Sequence, residues 1–482
     1  MLLSIFILSI FGVGCQKVLD INTDPNNPSS ATPELLLPTA QVALGVAFGD
    51  EYHFVTSMWA QYWTSGTTIS TTPLENFTMT GGEVNRSWRN TYSRSLLDLS
   101  QIIKSGNPYY SGISKVLMAF TYQRLVDIHG DIPFSEALKG AIEDGGILTP
   151  KFDSDKDVYD ALIPILDDAI TDLSSNDNSY AKPSSEDLVY GGDLDNWIIF
   201  ANTLKLKILL RQSLVDNTKL AEALTLLQSG VSFIDQNNSA SIYFNGSTLG
   251  NSNPTWLSYE SRSATKMYMR ASKTSINVLD SLSDPRIATI YDAGTSGYIG
   301  IPQGEANIPA PVGVLGQANN SFAQPSSDYI YSNDLPVWLI SPWESKFIQA
   351  EILLRSAVSG DDVLFEEAVT ASFDYFGLSS SASAYISSLD YTTNKIKTLA
   401  IQKWISMNGL QPTEGWIETR RFDIESTNNI IFRGVGGIFY DPSSTSLPSN
   451  VFPSKMLYGS SESSYNPNTP TTTVTAKVFW DN

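Results

Sequence analysis

The chain has a single cysteine, Cys15, and two histidines, His53 and His129, in 482 residues. With no second cysteine, no disulfide can form within it. A Ser-His-Asp triad has only two histidines to draw on, and they lie far apart in sequence. Basic residues are also scarce. Thirty Lys and Arg stand against 50 Asp and Glu, a formal charge of −20. A surface this acidic repels phosphate backbones, which argues against nucleic acid as a partner. No P-loop and no G-x-G-x-x-G after a strand occurs. No apolar run reaches the roughly 20 residues that cross a bilayer.

Against these absences stands the start of the chain. Met1 to Gly14 is apolar and ends in small residues, and Cys15-Gln-Lys follows at once. Small residues before a cysteine are the pattern of a bacterial lipoprotein signal. Residues 1–14 are expected to be the signal peptide and Cys15 the acylated mature N-terminus, anchored to a membrane without spanning it. On this reading the one thiol is taken by lipid, which excludes a cysteine nucleophile and a Cys/His zinc site. The pattern departs from its type in two ways: no Lys or Arg precedes the apolar core, and Gly12 stands where Leu is usual. An ordinary signal peptide with an incidental cysteine is the alternative. Residues 15–38 read as a tether, because Asp20-Ile-Asn-Thr-Asp-Pro-Asn-Asn-Pro28 favours turns. That turn lacks the spacing and terminal Glu of a calcium loop.

Beyond the tether, residues 39–482 are expected to form one mainly α domain. Val158, Leu162, Ile165, Leu166, Ala169 and Leu173 make one apolar stripe, interrupted by Pro164. Trp197, Ala201, Leu204 and Ile208 make a second, with Asp193 or Asp195 as its cap. Leu220, Leu224 and Leu227 make a third, ending at Gly230. Ile396, Leu399, Ala400, Trp404 and Met407 make a fourth, stopped by Gly409. A helix from Glu34 is expected to carry Pro38 in its first turn. Trp343–Val358 and Leu364–Phe376 read as a helical hairpin about the turn Ser359-Gly-Asp-Asp, the size of a tetratricopeptide unit. The architecture is therefore a tetratricopeptide-like helical solenoid core with long inserted loops. Residues 232–345 and 423–482 break the helical habit. The first is the expected ligand-binding segment, and the second reads as ordered loops with short strands at best.

Catalytic groups are thin. The carboxylate pairs Asp167-Asp168, Asp361-Asp362 and Glu366-Glu367 are neighbours on helices and point to different azimuths, on faces expected to be solvated. His129, in Val126-Asp-Ile-His-Gly-Asp-Ile-Pro133, reads as a helix-end structural residue. No cofactor or metal is called for. Aromatics make up 11% of the chain, with 10 Trp and 22 Tyr, and aromatic faces with nearby amides and carboxylates suit sugars. The candidate ligand-binding rings are Trp59, Tyr62 and Trp63, which share one helical face, and Trp256, Tyr259, Tyr298 and Trp338 in the irregular segment. The competing reading puts the Trp59 face in the core. Trp88, Trp197, Trp404 and Trp416 are expected to be core.

Several segments together resemble a known family. They are Leu19 to Pro28, Arg124-Leu-Val-Asp-Ile-His-Gly-Asp-Ile-Pro-Phe-Ser-Glu-Ala-Leu138, Tyr190-Gly-Gly-Asp-Leu-Asp-Asn-Trp197 to Lys207, Asp284-Pro-Arg286, Lys346-Phe-Ile-Gln-Ala-Glu-Ile352, Gln402-Lys-Trp-Ile405 and Glu414-Gly-Trp-Ile-Glu-Thr-Arg-Arg421. Their order from residue 15 to about 420 resembles the SusD/RagB outer-membrane lipoproteins of Bacteroidota, nearest the second SusD-like branch. Relatives often have Tyr at His129. The resemblance implies a SusD-like α/α superhelix, a site on inserted loops and no catalysis. It implies capture of an oligosaccharide, or a peptide, at the cell surface for a SusC-like TonB-dependent transporter. A cell-surface glycan hydrolase is the alternative class.

Overall fold

In the computed structural model the described residues are 31–67, 73–262, 269–309, 313–424 and 430–481. The Cys15 assignment and most of the tether lie outside them. Helices dominate, and consecutive helices pack in pairs. Pro108–His129 packs on Asp155–Leu173, Leu194–Gln212 on Asn217–Leu227, and Pro342–Arg355 on Asp361–Tyr375, while Lys395–Ser406 meets Pro412–Phe422. The hairpin expected at 343–377 is present, with its turn shifted to 356–360. Gly360 lies at φ +102°, a left-handed conformation that glycine adopts without steric cost. No helix among the described residues is long and apolar enough to cross a membrane.

The stripes become buried faces. Val158, Leu162, Leu166, Ala169 and Leu173 are all buried, whereas Pro164 lies on the solvent side of a helix that continues past it. Asp193, not Asp195, caps Leu194–Gln212, accepting from the Asn196 amide at 3.1 Å. The Leu220 stripe is shallower, with only Ala223 of its helix buried. Pro33, not Pro38, occupies the first helical positions of Pro33–Gly49, so Pro38 sits within the helix. One apolar cluster runs from Leu37 to Trp480, with Trp88, Trp197, Trp404 and Trp416 inside it.

The inserted segment is more regular than expected. It contains the helices Pro254–Arg262 and Lys273–Ser281. Asn253 accepts from the Thr255 and Trp256 amides at 2.9 and 3.2 Å, and Ser272 accepts from the Thr274 amide at 3.2 Å. Nine residues hold too few turns for a periodic pattern to stand out. Among the described residues strands come only in antiparallel pairs: Trp63–Ser65 with Met269–Ala271, Ile132–Pro133 with Phe152–Asp153, Ala240–Ile242 with Val337–Ile340, and Tyr291–Asp292 with Gln324–Pro325. In the C-terminal segment the described residues form a short helix, Ser460–Tyr465, and a 3-10 turn, Phe479–Asp481, and no strand. That last turn inserts Trp480 into the core, where its indole donates to Asp127 Oδ1 at 2.8 Å.

Candidate functional site

Among the described residues, the segments that hold Asp127, Lys207, Glu351, Lys403 and Glu414–Arg421 meet in one buried network of charges, and Asp284 and Arg286 form a separate buried pair. Lys207 reaches Glu344 Oε1 at 2.7 Å and Glu414 Oε2 at 2.6 Å. Arg211 contacts Asp127, Glu414 and Glu418, and Lys403 lies 3.1 Å from Glu418. Arg421 binds both oxygens of Glu351, at 2.6 and 2.5 Å, and also Glu418. Arg286 is held by Asp284 and donates to Gln402 Oε1 at 2.6 Å. Burial alone would push the carboxyls of Glu351, Glu414 and Glu418 up, but there the neighbouring cations outweigh it, whereas at Asp127 burial wins and the carboxyl is raised. Arg421 and Arg355 hold Glu351 down to about 2, and Arg211 and Lys207 hold Glu414 down to about 2. The glycine in Glu414-Gly-Trp serves packing: a Cβ on Gly415 would collide with the Tyr62 ring, whose hydroxyl donates to the Trp404 carbonyl at 2.7 Å.

Both histidines are equally committed to the interior. Burial pushes His53 and His129 down to about 3, so both are neutral at physiological pH. His129 Nδ1 lies 3.3 Å from the Met456 carbonyl, which can only accept. The ring proton therefore sits on Nδ1, and Nε2 accepts from the Tyr52 hydroxyl at 2.9 Å. The structural reading of His129 matches this environment. Among the described residues no group of three or more His, Cys, Asp or Glu side chains is arranged to hold a metal ion.

The aromatic candidates divide. Trp59, Tyr62 and Trp63 are 2%, 0% and 1% exposed and offer no face to a ligand. Trp59 packs at a tilt against Trp416 and donates to the Leu74 carbonyl at 3.0 Å, Tyr62 packs on Trp404, and Trp63 lies against His53. The helix ends at Trp59, Tyr62 lies in the bend that follows and Trp63 in a strand, so the expected common helical face does not form; all three rings are buried, which corrects the ligand assignment for them. Trp256 is half-buried, and the Tyr259 side chain lies outside what is described. Tyr298 is 38% exposed, beside Ile299 at 45%. Trp338 is half-buried, its ring 5.1 Å from Trp343 and 5.7 Å from Tyr375.

An open cavity with a largely polar wall lies beside that last cluster. A cleft of about 450 Å³ runs between the 235–237 loop and the paired helices Pro342–Arg355 and Asp361–Tyr375. Its lining includes Pro342 and Asp374, the chain neighbours of Trp343 and Tyr375. Ser341 starts the first helix by accepting from the Glu344 amide at 3.2 Å. Asp235 closes the loop, accepting from the Asn237 amide at 2.8 Å. Gln236 then crosses to donate to Asp374 Oδ2 at 2.7 Å, and Lys346 pairs with Glu367 at 2.7 Å. Asn237, Glu366 and Thr370 complete the polar wall. The result is a trough whose carboxylates, amides and hydroxyl can accept and donate hydrogen bonds side by side, with Pro342, Val363 and Ala371 adding apolar surface to its wall.

The Glu366-Glu367 pair therefore lies on a cleft wall, exposed as expected. Asp361 departs from its expected solvation: it is buried at the helix start and holds Lys395 at 2.7 Å. Among the described residues no aromatic side chain lines the cleft, although Asp235–Asn237 fall inside the segment expected to bind ligand. The available signal was the polar turn Asp235-Gln-Asn-Asn238 at the end of a helical pair. A second cavity, of about 420 Å³, is apolar, with Met118, Tyr122, Phe134 and Ile165 in its wall.

The family model described as starch-binding associating with outer membrane, SusD-like, matches residues 25–430. No protein with a curated description matches the chain. Solved structures share its fold. A SusD/RagB family protein of Bacteroides thetaiotaomicron superimposes with a TM-score of 0.75 at 22% identity, covering 94% of this chain and 99% of its own. A SusD homolog of Bacteroides uniformis gives 0.74 at 20% identity, covering 93% and 99%. A chitin-binding SusD homolog of Flavobacterium johnsoniae gives 0.72 at 20%, covering 92% and 98%. With its paired-helix core, its ordered buried motifs and a family match over most of its length, the chain belongs to the SusD-like family of the SusD/RagB group.

Proposed function

We propose that the protein is an oligosaccharide-binding lipoprotein of the outer membrane. It captures a glycan at the cell surface and passes it to a SusC-like TonB-dependent transporter. The observation that carries this reading is the family match over residues 25–430, whose description is starch-binding and outer-membrane-associated. The cleft supports it with suitable chemistry. Its volume of about 450 Å³ lies within the range typical of small-ligand sites. Sugar hydroxyls both donate and accept, and Asp374, Gln236, Asn237 and Thr370 can match them. Tyr298 and the half-buried Trp256 and Trp338 are proposed ring contacts, with Tyr259 a further candidate. Acylated Cys15 is the proposed anchor.

The buried network also bears on catalysis. Glu344, Glu351, Glu414 and Glu418 are closed off by cations and protein, so they are unable to reach a glycosidic bond. Binding without turnover is the expected behaviour.

The test is a pull-down of the natively lipidated protein from detergent-solubilised outer membrane, with titration of starch- and chitin-derived oligosaccharides by calorimetry. A stoichiometric β-barrel partner and saturable binding without product are expected. Recovery of the protein alone would sink the delivery role. Release of shorter sugars would favour a glycan hydrolase.

A further inference from the structure

The apolar cavity of about 420 Å³ opens between the helices Leu97–Lys104, Pro108–His129 and Asp155–Leu173 and the segment 134–144. Ile103, Met118, Phe134, Leu138 and Ile165 give it apolar walls. A concave apolar space of this volume with a few convergent polar groups has the form of a small-molecule site.

Two hydrogen-bond donors meet the Phe134-Ser135 step at its wall. Tyr122 packs edge-on to Phe134, with ring centroids 4.8 Å apart, and is buried. Among the described residues its hydroxyl nevertheless has no hydrogen-bond partner. Burial pushes that phenol up, so it keeps a proton to donate. A buried hydroxyl without a partner is costly, and an acceptor brought by a ligand removes the cost. Lys139 donates to the Ser135 carbonyl at 2.7 Å and keeps two further N–H groups.

Other ions around the cavity are committed to one another, Lys104 to Asp144 at 2.5 Å and Lys115 to Asp172 at 2.8 Å. Asp168 stands one turn before Asp172 on the same helix face, which puts it near the Lys115 ammonium. Lys139 is the lining cation that no carboxylate holds among the described residues. A carboxylate is acceptor-only and has two oxygens, one for each of the two available donors.

We propose that this cavity binds a small carboxylate with an apolar body, an aryl or medium-chain alkyl acid. Its body lies against Met118, Phe134 and Ile165, and its head accepts from the Tyr122 hydroxyl and the Lys139 ammonium. A sugar ring suits the space less, because its hydroxyls would face apolar walls unpaired. The assignment goes beyond glycan binding and does not depend on it.

The test titrates the full chain by calorimetry with decanoate, cinnamate, decanol and decylammonium. The pH is about 7.5, where carboxylate and lysine are both charged. Decanoate or cinnamate is expected to bind at least about tenfold more tightly than decanol or decylammonium, and the tighter of the two acids tells an alkyl from an aryl body. Lys139→Gln and Tyr122→Phe should each weaken that binding about tenfold. Lys139 is exposed, so its variant keeps the parent fold and the test stays decisive. Met118→Trp, which fills the cavity from a half-buried position, should abolish binding. Binding that survives Met118→Trp overturns the proposal, as does decanol or decylammonium binding as tightly as the acids. Absence of binding by either acid, displacement of the bound acid by an oligosaccharide, or a dimer that Met118→Trp abolishes also overturns it. Glycan binding in the cleft stands or falls separately.

Discussion

Two regions of this molecule use carboxylates in opposite ways. In the core, Glu351, Glu414 and Glu418 are buried beside Arg211, Arg421, Lys207 and Lys403, and every charge has a partner. In the cleft, Asp235, Glu366, Glu367 and Asp374 face a single lysine and water. Burial makes partners obligatory, because a charge left alone in the interior costs several kcal/mol. Exposure removes that demand, so the cleft is free to leave negative charge open to a ligand. The residue type is the same in both places, and the surroundings decide whether it holds the fold or meets solvent.

The largest effect should come from breaking the core side of this contrast. Replacing Arg421 with Ala leaves Glu351 and Glu418 short of a buried partner, and a loss of about 3–5 kcal/mol is expected in urea unfolding. A loss below about 1 kcal/mol would mean that the network does not hold the helices together.

Acid should distinguish the two regions next. His53 and His129 have folded pKa values near 3, below the usual 6.5. Protonation therefore favours the unfolded chain. The stability they contribute is complete above about pH 6.5 and declines as pH falls towards 3, by about 1.4 kcal/mol per unit for each histidine. Glu351 and Glu414 are depressed to about 2 from 4.5, so their contribution is present above 4.5 and disappears below it. Unfolding midpoints measured from pH 7.5 to 2.5 should fall in two stages, the first reduced in a His53→Gln variant that still folds and the second below about pH 4.5. A flat profile from pH 7.5 to 5 would contradict the buried, neutral histidines.

Ser341→Ala sharpens the boundary between the regions, since Ser341 caps the helix that carries both Lys346 of the cleft and Glu344 of the core. A loss of about 1 kcal/mol is expected in the same unfolding assay. The smallest effect on stability belongs to the cleft. The Glu366→Gln, Asp374→Asn double variant should unfold within about 0.5 kcal/mol of the parent, while its affinity for oligosaccharide falls about tenfold.

Legibility in the sequence followed the same division. Helices such as Asp155–Leu173 and Leu194–Gln212 were readable because a buried stripe repeats with the helical turn, and the cap at Asp193 carried its own signal. The motif Glu414-Gly-Trp-Ile-Glu-Thr-Arg-Arg421 was visible as a pattern, but its role as a charge network required partners more than 200 residues away, such as Lys207 and Arg211. Trp59, Tyr62 and Trp63 misled because their spacing suits one helical face, whereas the helix stops at Trp59 and the three rings turn inward, Trp59 against Trp416 and Tyr62 against Trp404. The cleft left little trace, since Asp235-Gln-Asn and Glu366-Glu367 are ordinary surface residues until the fold brings them together. Short helices such as Lys273–Ser281 hid for want of turns.

The most direct test of the account is a crystal structure of the protein with a bound oligosaccharide from the tightest-binding set. The account predicts the sugar between the 235–237 loop and the Asp361–Tyr375 helix, with Asp374 and Glu366 within hydrogen-bond distance of it. A sugar bound in the apolar cavity by Phe134 with the cleft empty would contradict it.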